Sequence, residues 1–507
     1  MNEDDARRLL MVRAVESEDQ AGALLTREDR QQADDAGLAG RRAASATGDR
    51  ADALFLARRA AFAFGRLATR FPAIDRAYHA TRWPAWLNWV LPLGALATGM
   101  FANEIDSGQR LNIIAFPLLG MLLWNFAVYG LLAAGAIGRL MPGRADGERP
   151  GLVARMVARL TGIARGPVDG HQPIGRALVR FALDWSRHAR ALTWHRASRT
   201  LHLSAAALAA GVLLGMYLRA LGIEYRAGWE STFIGTGTLH WLLGLVLGPA
   251  SALTGIPLPA PEHLAALRWS ARGGGENAGP WIHLYAATAL LFIVAPRLLL
   301  AGWSAVAALT ISRRFPVPGR EDFYVRRLLR SAQGSGAEVR IIPYSFHPPE
   351  SVRAALRRLL TAVLGDATRT TIATPIDYGA EDAWLAGADP GADVDHIVLL
   401  FNLAATPEAE THGAMVAGLE RLIAERRSGA TMTVVLDESA YARRLGGQAG
   451  ADARIESRRL AWQRVLAQHG VKPLAIDLES DVDAALVRRF EGGLLRSASL
   501  SGVGSAA

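Results

Sequence analysis

The residues best suited to chemistry lie at the ends of short apolar runs. Val434-Val435-Leu436 is followed by Asp437-Glu438-Ser439. Apolar residues ending in two acids resemble the strand that holds Mg²⁺ and orients water in ATPases. That chemistry also needs a phosphate loop carrying Gly-Lys-Ser/Thr. The chain has 55 arginines but one lysine, Lys472, set in Val471-Lys472-Pro473. A Walker A loop is therefore excluded, and so is the Asn-Lys-x-Asp motif that reads guanine. Ser439 lacks the Gly-x-Ser-x-Gly elbow of hydrolases. With no cysteine, thiolate nucleophiles, disulfides, Cys-ligated zinc and iron–sulfur clusters are also excluded. His412, Asp437 and Glu438 have no ligand spacing such as His-Glu-x-x-His, so neither a metal nor a cofactor is expected. His412 reads as a surface residue near the start of its helix.

Strands and helices must place these groups. Val339–Ile342, Ile397–Phe401 and Met432–Leu436 are short apolar runs, Thr370–Thr374 and Leu474–Ile476 are further candidate strands, and helical patterns lie between them. Val352, Leu356, Leu359, Leu360 and Val363 fall on one helical face after Pro348-Pro349 and before Gly365. Thr406-Pro407 is expected to start a helix carrying Met415, Leu419, Leu422 and Ile423. Five strands alternating with helices predict a doubly wound, parallel α/β domain over 318–495. Ligands bind such sheets outside the carboxyl ends of the strands. The candidate ligand or partner residues are thus Asp377, Tyr378, Asn402, Asp437, Glu438 and Ser439.

Long apolar runs precede this region. Spanning about 30 Å of hydrocarbon takes about 20 apolar residues. Trp86–Phe101, Leu111–Ile137, Leu201–Ile223 and Trp281–Ile311 predict an α-helical membrane domain of about four spans over 84–312. Leu239–Ile256, interrupted by Pro249, is read as re-entrant or interfacial. Residues 139–199 carry twelve arginines and four acids, whereas 224–280 carry four acids and three arginines. This asymmetry predicts a bacterial inner-membrane protein with cytoplasmic termini, a cytoplasmic 138–200 loop and an outer 224–280 segment. The arginine excess is thereby assigned to topology and anionic headgroups rather than to nucleic acid. An arginine-rich helix over 151–165 would lie on those headgroups. Residues 1–80 read as N-terminal cytoplasmic helices, with a capping box at Thr26-Arg27-Glu28-Asp29.

Within the membrane domain the candidates are Arg219, Trp229, Glu230 and Arg297. An intramembrane charge marks a functional site by default, although Arg297 can snorkel toward the interface and Arg219 has Glu224 one turn on. Trp281 and Trp303 are spaced as interfacial anchors. Gly211-x-x-x-Gly215 and Gly244-x-x-x-Gly248 suit close helix packing or homo-oligomerisation. The glycines around Gly235-Thr236-Gly237 could expose carbonyls as a pore loop, though an interfacial loop anchored by Trp229 and Trp241 fits better.

Tyr225-Arg226-Ala227-Gly228-Trp229-Glu230-Ser231-Thr232-Phe233, Pro296-Arg297-Leu298-Leu299-Leu300-Ala301 and Leu436-Asp437-Glu438-Ser439-Ala440-Tyr441 resemble an uncharacterised multi-pass bacterial inner-membrane family. That family is classed as a domain of unknown function and is often encoded beside a predicted GTP-binding protein. The resemblance implies a membrane partner or regulator of a cytoplasmic GTPase-type protein and supplies no catalytic residues. Three functions follow. The first is a non-enzymatic membrane scaffold or sensor whose α/β domain binds a protein or small ligand. The second is a channel or transporter using the Gly-rich 234–256 segment and Arg297. The third is an enzyme or nucleotide-binding protein built on Asp437 and Glu438.

Overall fold

The computed structural model describes residues 1–19, 22–43, 47–102, 110–114, 116–140, 173–270, 275–320, 322–389, 394–426 and 430–504. The arginine-rich helix expected over 151–165 and most of the 138–200 loop lie outside the described residues, as does Gly273-Gly274. The chain divides into two compact units. One comprises 1–81, 162–188 and 313–507, and the other 82–161 and 189–312.

The first unit is built on a five-stranded parallel sheet. Its strands are β1 (Glu338–Pro343), β2 (Arg369–Ile372), β3 (His396–Asn402), β4 (Thr431–Asp437) and β5 (Leu474–Ile476). Their order is β2-β1-β3-β4-β5. Alternation along each strand divides the core in two. Val339, Ile341, Val398, Leu400 and Val435 pack beneath the helices Phe323–Gln333 and Glu350–Leu364. Ile342, Ile397, Leu399, Phe401, Val434 and Leu436 pack beneath Ala414–Glu425 and Ala451–Ala467. Both faces are covered, which is why β3 and β4 read as unbroken apolar runs.

The N-terminal helices share this core, since Leu9, Phe55, Leu56 and Ala60 belong to the same buried cluster as Val339. The capping box forms at helix Arg27–Ala43. The Asp29 amide donates to Thr26 Oγ1 (3.1 Å), and Asp29 Oδ2 accepts from the Thr26 amide (3.1 Å). A cleft of 670 Å³ in this unit is lined by Glu16, Asp34, Arg59, Arg327 and Glu491 among others. Arg59 pairs with Glu16 and Asp34, and Arg327 with Glu491.

The second unit corrects the expectation of about four spans. Among the described residues, two helices are long and apolar enough to cross a membrane, Arg190–Gly222 and Gly279–Arg313. The first expected span is a 15-residue helix, Leu87–Phe101, about 22 Å long at 1.5 Å rise. The second expected span starts instead as a short strand, Arg110–Asn112. Its helix, Phe116–Leu140, begins five residues after the expected start of the span. Leu111 and Ile113 are buried against protein, in a cluster with Trp229, Trp281 and Tyr285. Hydropathy registers that a residue is apolar, not whether protein or lipid covers it.

Leu239–Ile256 also differs from expectation. Helix Thr236–Thr254 runs unbroken through Pro249 and stops at Gly255, whose φ is +73°. The Gly235 carbonyl accepts from the Leu239 amide (2.9 Å), so the helix itself uses that acceptor. Gly211 and Gly215 pack within the chain: a Cβ on either would lie 2.1 Å from the Leu96 carbonyl oxygen or 2.3 Å from that of Met100. Gly244 and Gly248 face open space.

Candidate functional site

Strand order selects one edge of the sheet. It reverses between β1 and β3, and the crevice outside their carboxyl ends is where open α/β sheets take ligands. The chain leaves β1 through Tyr344, which bridges to Ile376, and Ser345, held at φ +60° with its amide on the Ile376 carbonyl (2.8 Å). This link brings Asp377 and Tyr378 beside the β1 end, where both are exposed. Tyr378 donates to Glu408 Oε2 (2.8 Å), and Thr411 donates to the same oxygen (3.1 Å). That hydrogen bond to Glu408 raises the Tyr378 pKa. Tyr344 donates to Glu381, which also accepts from the Gly379 amide (3.0 Å). Burial and the Glu381 carboxylate push the Tyr344 phenol up. Burial raises the Glu381 pKa, but the bonds it accepts outweigh burial and hold it below the usual value.

His412 belongs to this edge and corrects the surface reading. It is 3% exposed, because the chain makes a π-helical turn at Ala409–Gly413 before helix Ala414–Glu425. That turn carries the imidazole inward against Tyr344, Phe401 and Trp462, with ring centroids 5.2, 5.2 and 4.7 Å away. Its Nδ1 accepts from the Glu408 amide (3.3 Å). Burial lowers its pKa against the pull of Glu408 and Glu381.

Asp437, Glu438 and Ser439 lie at the other edge, and neighbouring groups hold all three. They are 2%, 3% and 3% exposed. The Asp437 carboxylate accepts from the Ser439 amide (3.0 Å) and hydroxyl (2.5 Å). Burial raises its pKa, and nearby Asp477 and Glu479 add to the rise. Ser439 Oγ in turn accepts from the amides of Leu478 (2.9 Å) and Glu479 (3.1 Å), tying the loop after β5 to the end of β4. Glu438 receives the Arg459 guanidinium on both oxygens. Asn402 pairs in register with Asp437, and its side chain accepts from the Ala404 amide (2.9 Å). Among the described residues no group of acids and histidines is arranged to hold a metal ion.

Glu381, Glu408, Thr411 and the inward His412 were not among the sequence candidates. One signal marks their region. From Arg369 to Arg421 the chain contains nine acidic residues and no arginine or lysine between those two, in a protein of net charge +9. The β1/β3 edge falls inside that stretch.

In the second unit, Arg219 caps the helix Leu87–Phe101 rather than pairing with Glu224. It donates to the carbonyls of Met100 (3.1 Å) and Ala102 (3.2 Å), as a cation at a helix C-terminus should. Trp229 is fully buried, donates to the Leu264 carbonyl (2.7 Å) and lies under Arg268 (4.6 Å). Glu230 accepts from the Ser270 amide (3.1 Å). Trp281 is 1% exposed and donates to Glu276, so it is no lipid-facing anchor, while Trp303 is 73% exposed. Arg297 is buried, with Asn125 and His202 as partners.

Compared with family models, curated proteins and solved structures, the chain matches none.

Proposed function

We propose that this chain is a membrane-anchored scaffold or sensor whose α/β unit recognises a basic protein surface at the β1/β3 edge. One observation carries the reading. The edge selected by strand order is also the acidic, arginine-free edge, with Asp377, Tyr378, Asp382, Glu408 and Glu410 exposed. Opposite charge steers association and selects partners. The two apolar helices, with arginines concentrated outside the 224–280 segment, support a multi-pass bacterial inner-membrane anchor with both termini cytoplasmic. The family resemblance makes a GTPase-type protein the first partner to test.

The test is capture of partners by the full-length protein in mild detergent, with and without GTP. Asp377→Arg/Glu410→Arg changes two exposed acids for which no ion pair is seen among the described residues. A cytoplasmic protein recovered by the wild type and lost with this variant supports the proposal. Recovery of none, or recovery that the variant leaves unchanged, refutes it.

A further inference from the structure

Arg297 is 6% exposed, and its partners among the described residues are all neutral. Nε and one Nη donate to Asn125 Oδ1 (2.8 and 2.7 Å), and the other Nη meets His202 Nδ1 (3.1 Å). The Tyr129 ring covers the guanidinium at 5.1 Å. Tyr129 is fixed by donating to the Phe292 carbonyl (3.1 Å) within the π-helical turn Leu290–Val294, just before Pro296. No carboxylate pairs with Arg297 among the described residues. Arginine stays protonated, and a buried charge without a counter-charge is strongly destabilising. Asparagine, imidazole and a phenol ring orient the guanidinium but do not neutralise it. The bonds to Asn125 and His202 use three of its five N–H groups.

We infer that Arg297, Asn125, His202 and Tyr129 form an anion-binding site inside the apolar unit. The remaining guanidinium N–H groups donate to the ligand. Neutral Asn125 fixes the fork without competing for it, since a carboxylate there would satisfy the same donors and exclude an anion. The chemistry recognised is a single negative charge with oxygen or halide acceptors. It is available from a free inorganic anion or from a lipid phosphate.

The experiment measures the Tm of the full-length protein. In one arm chloride replaces gluconate at constant ionic strength in neutral detergent. In the other, phosphatidylglycerol is raised in phosphatidylcholine nanodiscs. The wild-type Tm should rise with the logarithm of anion concentration in one arm, which identifies the source. Asn125→Asp supplies an internal counter-charge on the same two donors. It should abolish the dependence while leaving the Tm in gluconate, or in pure phosphatidylcholine, at or above wild type. Arg297→Gln, which removes the charge, should also be insensitive. A wild-type Tm indifferent to both chloride and lipid overturns the inference, as does a dependence that survives in both variants.

Discussion

The two carboxyl edges of the sheet differ in what they do with their polar groups. At the β4/β5 edge every conspicuous side chain has a structural partner. Glu438 holds Arg459, Asp437 holds Ser439, and Ser439 holds the loop after β5. At the β1/β3 edge, buried Tyr344 and His412 form a base with half-buried Glu381, above which Asp377, Tyr378, Glu408 and Glu410 face solvent. A motif that looks catalytic in sequence is therefore a brace. The edge with free charge is the one whose sequence shows no catalytic motif.

The largest expected effect is at the brace. Arg459→Ala leaves Glu438 buried without its cation and should cost about 3 kcal/mol in chemical denaturation. Adding Glu438→Gln should restore part of it. A cost below about 0.5 kcal/mol, the usual scale of a surface pair, would break the contrast between the edges. Next, Asp377→Arg/Glu410→Arg should weaken partner capture at least tenfold, about 1.4 kcal/mol, with Tm unchanged. Third, Asp437→Asn keeps an oxygen for both Ser439 donors and removes a buried charge. It should change stability by less than about 1 kcal/mol, in the stabilising direction, whereas a metal-holding role would make it lose Mg²⁺ binding.

The smallest effects concern pH, and the two edges should respond with opposite sign. Burial depresses the His412 pKa, so as pH falls below about 6.5 the unfolded chain takes a proton first and stability is lost. Burial raises the Asp437 pKa, so the folded chain takes a proton first and that contribution falls as pH rises through the region just above about 3.9. In Tm against pH, His412→Gln should flatten the acid loss relative to wild type, and Asp437→Asn should steepen it.

The central strands β3 and β4 were legible because apolar runs covered on both faces cannot be mistaken for solvent-facing strands. All five strands appear where Val339, Thr370, Ile397, Met432 and Leu474 begin them, within a residue or two. The capping box was legible for a similar reason, since Thr26 and Asp29 interact locally. Pairings between distant positions were not legible. Arg459 is 21 residues from Glu438, and Asn125 is 172 from Arg297. His412 was misread because a π-helical turn rotates it inward, and the helical pattern begins only after that turn. Leu111 and Ile113 were misread as lipid-facing because hydropathy cannot distinguish them from residues buried against Trp229 and Tyr285.

The most direct measurement is side-by-side partner capture by full-length wild type, Asp377→Arg/Glu410→Arg and Asp437→Asn. Recognition at the β1/β3 edge requires at least a tenfold loss for the double variant and wild-type recovery for Asp437→Asn. Undiminished capture by the double variant, or loss confined to Asp437→Asn, would place recognition elsewhere and contradict the assignment of the acidic edge.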